Sequence, residues 1–338
     1  MVAKRQEEVS DSQWLSVNKK NRKMAEEFVR ESTQLSKQTL LQYISALKIY
    51  FFWIKENAED RDFDKIKSRD FLLYQNYLSR RGLSSSAIRL KRAAVSSFNQ
   101  YVETYYPDEY NNFRNYITKK IAPPTQSFVH EKEPMTLAEY KNLCDTLEKE
   151  EMWQQLAYLK FTFSTGCRRG ESVQLLKEVV DYDKKTREVK TRNKSGKEVT
   201  KEASYYVTHK IRCKGRGKDG KQRVFQFDEE SMQAIRKWLE VRGDDKCPFV
   251  FVSKAVNGNV RNLNPATFNL WSKKIFEKIL GRRFHPHLLR ESRATSLVVE
   301  QHKDIKVAQR LLGHESSETT NIYVIRDDDD MSDDAFTE

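Results

Sequence analysis

The chain has 338 residues and a formal charge of +12. Seven acids and no bases fall in 327–338, which leaves +19 (12 + 7) on residues 1–326. An excess of that size points to a polyanionic partner, nucleic acid before membrane, rather than to a merely soluble basic surface. The four cysteines, Cys144, Cys167, Cys213 and Cys247, are far apart and never form CxxC, a spacing that supports neither a zinc knuckle nor a disulfide framework. Reduced thiols fit an intracellular protein. The opening "MVAKRQEEVSDSQ" has no apolar leader core, and no run approaches the roughly 18 apolar residues of a membrane helix. A cytoplasmic protein with no membrane partner is the expectation.

Residues 1–20 read as an N-terminal extension, and 21–119 as an all-helical bundle. In "SKQTLLQYISALKIYFFWIKENA" the positions Leu40, Ile44, Leu47, Phe51 and Ile54 make an amphipathic stripe. "SRDFLLYQNYLSRRG" predicts a helix closed by Gly82. The next helix follows a serine-rich cap and buries Ile88, Val95, Phe98 and Val102, leaving Arg89, Arg92 and Ser96 on its other side as candidate DNA contacts. Pro107 can open one more short helix. Three prolines and no periodicity mark 120–135 as a linker.

A second domain spans 136–326, opening on a capping box between Thr136 and Glu139. Strands are expected from about 179 to 227 in "VVDY", "REVKT", "SYYVTHKIRC" and "QRVFQF", separated by basic glycine turns. Helices then resume up to an acidic tail, 327–338. The expected fold is mainly α: one helical bundle, then a mainly helical domain with a small antiparallel β-sheet. Two basic lobes on a strap suit a clamp around a duplex.

Three segments carry candidate chemistry. "STGCRRGESVQLL" sets Arg168 at a helix boundary with Glu171 three residues on; the plain alternative is an ion pair decorating the surface. In "RRFHPHLLRESRAT", Pro286 at a first turn puts His287 and Arg290 on one face near a helix N-terminus, which suits a phosphate. An ordinary polar surface helix is the alternative. A metal pair of His285 and His287 is disfavoured because no carboxylate or cysteine companions stand near in sequence. In "LLGHESSETTNIYVIRDDDD", Gly313 stops a helix ahead of His314, and Ser316 or Ser317 can cap the helix that carries Tyr323. Taken singly, the last two residues read equally well as surface groups.

The order of these boxes is what speaks. "TGCRRGE", a basic β-hairpin with lysines, "HPHLLR", "LLGH" and a tyrosine nine residues later resemble the tyrosine recombinases of phages and transposons. The resemblance covers 136–326, and the helical domain before it is similar to that family's core-binding domain in size and character. It implies a DNA breaking-rejoining fold and a site-specific strand transferase that works through a 3′-phosphotyrosine intermediate, without metal, cofactor or ATP. It implies Arg168, His287, Arg290 and His314 as catalytic residues, Glu171 as the acidic companion of Arg168, and Tyr323 as nucleophile. The family's general-acid lysine ends a hairpin strand. Lys214 is favoured here because it ends "YYVTHKIRC", with Lys218 and Lys221 further out in the turn as alternatives. Arg169 and Arg216 join the expected DNA contacts. One departure is "RESRAT", where many members have a histidine directly after the arginine.

The leading expectation is therefore an integrase of a phage or mobile element, acting on double-stranded DNA as a monomer that assembles into a tetramer, with an accessory DNA-bending or directionality protein as a further partner. A chromosome-dimer resolvase or a type IB topoisomerase would share the chemistry. A catalytically idle DNA-binding regulator is the alternative of another class. With about 35 residues ahead of the first strongly patterned helix, no separate arm-binding domain is expected. The acidic tail is either a subunit-docking segment or a solvated end.

Overall fold

The structure, a computed structural model, describes residues 7–117, 121–125, 133–192, 198–215 and 220–313. The chain divides into two compact units, the first holding the N-terminal residues up to 131 and the second most of the chain from 132 onward.

The first unit is all helical: α1 (Asp11–Ser16), α2 (Lys19–Glu31), α3 (Lys37–Asn57), α4 (Ser68–Arg80) and α5 (Ser85–Tyr105). The predicted α5 stripe is buried in full, and Ser84 caps the helix by accepting from the Ala87 N–H at 3.3 Å. In α3 the buried set begins at Ala46, while Leu40 and Ile44 are only half-buried. Phe98 is the hub of the core, meeting Phe28, Phe51 and Phe63 edge-on at 5.4–6.0 Å. Gly82 closes α4 at φ +77, a left-handed value that glycine adopts without penalty.

Two expectations need correction here. Residues 11–20 are part of the bundle: Trp14 and Val17 are buried in its core, and the Trp14 Nε1–H donates to Glu26 at 2.9 Å. The α1 segment is too short and too polar for its period to show in sequence. Pro107 opens no helix; residues 107–112 form turns, in which Tyr110 packs edge-on against Phe63 at 5.0 Å.

The second unit opens with α6 (Leu137–Lys149) on the predicted Thr136–Glu139 capping box, followed by the buried helix α7 (Trp153–Thr165) and the short α8 (Arg169–Ser172). Strands β1 (Lys185–Arg192), β2 (Glu198–Val207) and β5 (Gln226–Phe227) form one antiparallel sheet, and β3 (Ile211–Cys213) pairs with β4 (Lys221–Arg223) as a separate hairpin. After α9 (Glu229–Arg242) come β6 (Val252–Lys254) and β7 (Val260–Asn262), then α10 (Thr267–Trp271), a π-turn at Ser272–Phe276, α11 (Glu277–Leu280), α12 (Pro286–Thr295), a second π-turn at Ser296–Glu300, and α13 (Ile305–Leu312). Tyr158 of α7 lies at the centre of the core, stacked on Phe268 at 3.8 Å.

The strand readings hold with four changes, the first being that "QRVFQF" is split between β4 and β5. "VVDY" belongs to a 3₁₀ turn, Lys177–Asp181, instead of a strand. "SYYVTHKIRC" is two strands, broken where the Thr208 hydroxyl accepts from the Phe225 N–H at 3.0 Å and interrupts the ladder. The β6–β7 hairpin was not expected; its signal, Asn257-Gly258 with Gly258 at φ +78, is a turn pair in plain sight.

Candidate active site

Helix α7 ends at Gly166, which takes a left-handed φ of +61, and the chain turns so that Arg168 becomes the N-cap of α8. Glu171 is buried and fixes that residue twice: its carboxylate accepts from the Arg168 N–H at 2.7 Å and from Arg168 Nη1 at 3.2 Å. The predicted pair is thus a capping box with the guanidinium held at its mouth, not a surface decoration. Between them, burial pushes the Cys167 thiol up to about 11, and the Cys213 thiol is pushed up to about 12 by burial and the neighbouring Glu171. Neither is a thiolate nucleophile at neutral pH.

Helix α12 starts as the sequence predicts. His285 is its N-cap, with Nδ1 accepting from the Leu288 N–H at 3.1 Å, and Pro286 is the first helical residue. That bond commits Nδ1 of His285 to capping the helix. Arg168, Arg169, Asn269, His285, Pro286 and His287 line one cleft of about 310 Å³. A helix N-terminus, an imidazole and two guanidinium groups around such a space favour an oxyanion.

Arg290, one turn beyond His287, behaves differently. It is fully buried, and its Nη1 donates to the Gly166 carbonyl at 2.5 Å while Nη2 donates to the Leu312 carbonyl at 2.8 Å. One donor on each terminal nitrogen of Arg290 is thus spent on backbone. The same bonds tie the end of α7, two residues before Arg168, to the end of α13. Gly166 and Leu312 are in van der Waals contact so close that a Cβ on Gly166 would lie 2.4 Å from Leu312 Cδ2.

The α13 terminus is held a second time. Arg223, the last residue of β4, donates from Nη1 to Leu312 O at 2.7 Å and from Nη2 to Leu311 O at 2.8 Å and Arg310 O at 3.4 Å. Its guanidinium lies over the Phe225 ring, 4.6 Å from the centroid. The β3–β4 hairpin is fastened to α8 from the other side, since the Gln174 amide donates to the Arg212 carbonyl at 2.9 Å and accepts from the Arg212 N–H at 3.1 Å.

Lys214 directly follows β3 and is exposed. Lys221, expected in the turn, is instead the first residue of β4 and pairs with Cys213. Lys218, Arg216, His314, Tyr323 and the tail 327–338 lie outside the described residues. So Arg168 and His287 meet in one cleft and Arg290 braces its backbone. In the first unit, Arg89, Arg92 and Ser96 are half-buried and bonded: Arg89 to Pro124 O at 3.1 Å, Arg92 to Gln75 at 3.3 Å, and Ser96 to Asn115 at 3.2 Å. Asn269 and Arg223 went unremarked in the sequence. Asn269 has no motif around it, and Arg223 sits in an ordinary "KQR" strand.

The family model described as phage integrase family matches residues 133–329, and the phage integrase N-terminal SAM-like domain matches 25–104. The chain belongs to the phage integrase family. The expected tyrosine recombinase is thereby shown, with both its helical N-terminal domain and its mainly helical second domain. This phage integrase family member is 31% identical over 325 residues to the SPbeta prophage-derived recombinase-like protein YomM of Bacillus subtilis, covering 95% of this chain and 92% of that one. It is 24% identical over 305 residues to the tyrosine recombinase XerC of Lacticaseibacillus casei, covering 88% and 91%. Its fold is similar to the Tn1549 transposon integrase in complex with transposon right end DNA (TM-score 0.63, 14% identity, 93% and 97% covered). It is also similar to the XerH site-specific recombinase bound to palindromic difH substrate (TM-score 0.62, 18% identity, 96% and 94% covered). Among the described residues, no helix is long and apolar enough to cross a membrane.

Proposed function

We propose that this protein is a site-specific DNA recombinase, the integrase of a phage or mobile element, which cuts and rejoins DNA through a 3′-phosphotyrosyl link at Tyr323. The observation that carries the reading is the cleft where Arg168, clamped by Glu171, faces His287 at the start of α12. Attack on a phosphodiester builds negative charge on the nonbridging oxygens. Arg168 and His287, already held at the cleft, meet that charge without reorganising, and His314 and the remaining donors of Arg290 add to them. A tyrosine phenol with an ordinary pKa near 10 needs such cationic surroundings, or a base, to attack at neutral pH. The leaving 5′-oxygen takes a proton from Lys214, a transfer typically worth roughly 10²–10⁴ in rate. The phosphotyrosyl ester keeps the bond energy, so rejoining needs no ATP.

The partner is double-stranded DNA, drawn to the basic excess of 1–326. The protein is a cytoplasmic monomer that assembles as a tetramer on two synapsed sites, aided by an accessory DNA-bending or directionality protein. A prophage-derived relative at 31% identity favours a mobile-element integrase over a chromosome-dimer resolvase. The test is to incubate the protein with the DNA that flanks its own gene and to map covalent adducts. The parent should leave a 3′-phosphotyrosyl adduct at one site, and Tyr323→Phe should bind that site yet form none. Adduct in the Tyr323→Phe protein would overturn the nucleophile; binding without any cleavage by the parent would favour the idle regulator.

A further inference from the structure

We propose that Arg223 is a positioning residue of this reaction, setting Arg290 and the Lys214 hairpin in one frame. The inference rests on the recombinase reading above. Arg223 lies opposite Ile211 in the two-stranded ladder whose other end, Cys213, leads straight into Lys214. Stacking on buried Phe225 fixes the plane of the guanidinium. From there it reaches the carbonyls of Arg310, Leu311 and Leu312. They belong to the last turn of α13, whose carbonyls run short of intrahelical donors (Arg310 O takes one bond from the Gly313 N–H at 3.2 Å), and a cation there also matches the helix dipole.

A mere cap would end the matter at helix stability. Two observations carry it further. The Leu312 carbonyl is also the acceptor of Arg290, so whatever holds that carbonyl sets where Arg290 can stand. And Gly313, at φ +67, lies tight against Arg223: a Cβ would fall 1.9 Å from Arg223 Nη1, so any side chain there must push the guanidinium off its carbonyls. The residue that launches the chain toward His314 is therefore shaped around this guanidinium. Lysine cannot copy the arrangement, because a point charge does not span three carbonyls.

The experiment uses the full-length protein and a nicked suicide DNA duplex carrying the mapped site, with either a normal 5′-oxygen or a 5′-thio leaving group. A thiolate departs without the lysine's proton. Arg223→Met should bind the site within about threefold of the parent and cleave the oxygen substrate on the order of 10²-fold more slowly, the cost of about 1 Å of misplacement. The thio substrate should recover roughly tenfold or more of that loss, because the general-acid step is relieved. Arg223→Lys should share the defect. Cleavage within about threefold of the parent would overturn the proposal, as would an equal loss on both substrates accompanied by a matching fall in Tm, which describes a cap alone. Should Arg223→Met fail to fold, Arg223→Lys is read by the same rule. If both fail, Gly313→Ala decides: a Tm and a cleavage rate equal to the parent's would reject the crowding on which the inference stands, and a folded protein with slow cleavage on the oxygen substrate alone would uphold it. A parent protein that never forms adduct would instead sink the recombinase reading itself.

Discussion

Arg223 and Arg290 donate to the same atom, the Leu312 carbonyl oxygen, at 2.7 and 2.8 Å. One arrives from a β-hairpin and the other from the middle of α12, and with Gly166 they join the ends of α7, α13 and β4 to that helix. Two guanidinium groups on one acceptor repel each other, so this arrangement gains most when an anion lies close by.

Arg290 is the keystone of that junction, and truncating it takes the donor from the Gly166 carbonyl and leaves the Leu312 carbonyl to Arg223 alone. Each unsatisfied buried group costs about 1–3 kcal/mol. Arg290→Met should lower Tm by roughly 4–8 °C for a loss near 2 kcal/mol in a domain of this size, and should abolish detectable adduct. Thermal unfolding and gel assay check both; a parent-like Tm would mean that the Gly166 carbonyl finds another donor.

Gly166→Ala should be clearly worse than Gly281→Ala. Both glycines have positive φ, +61 and +71, but a Cβ at 166 meets Leu312 at 2.4 Å whereas nothing lies within 4 Å at 281. The shared backbone cost is about 1–2 kcal/mol, and crowding should add roughly 1–3 kcal/mol at 166 alone. Urea melts of the two variants give the difference directly, and equal midpoints would refute the contact.

Trp14→Ala should destabilise the first unit by about 3–5 kcal/mol, the usual cost of deleting a buried tryptophan. Its ring is 5% exposed, and its Nε1–H holds Glu26 at 2.9 Å. A first unfolding transition that does not move would return residues 11–16 to the status of an appendage.

Acid should reveal the Arg242–Asp245 pair. Arg242 donates from Nε and Nη2 to the two carboxylate oxygens at 2.6 and 2.5 Å, and these bonds hold the Asp245 carboxyl below its ordinary value of 3.8. A carboxyl whose folded pKa is lowered stabilises the fold above its unfolded value, and that contribution fades as pH falls through the folded pKa. Asp245→Asn should therefore be less stable than the parent at pH 7, and the gap should narrow below about pH 4. A gap that is constant with pH would show that the charge of Asp245 plays no part.

The sequence carried the chemistry better than the supports. Arg168, Glu171, His287 and Gly313 sit at helix ends, where capping residues, proline and glycine leave signals that can be read without a structure. The inward turn of Arg290 was not readable, because whether an arginine on α12 faces a cleft or a carbonyl depends on where α7 and α13 end. The same holds for Arg223, whose partners lie 87–89 positions away. The break in "YYVTHKIRC" has no signal of its own, since Tyr205, Val207, Ile211 and Cys213 keep one alternation across the Thr208 hydroxyl that interrupts the ladder. Trp14, Leu15 and Val17 in a short polar segment are too few to make a period.

The β1–β2 ribbon is anchored at one end. Its register runs from Lys185↔Tyr205 out to Arg192↔Glu198, yet β5 joins only at Tyr206 and Val207. Everything beyond those rungs is free to lengthen or shorten over evolutionary time without disturbing Gly166, Leu312 or the α12 cleft. Such changes should come in matched pairs of residues, one on each strand, because an odd slip would exchange the two faces of the whole arm.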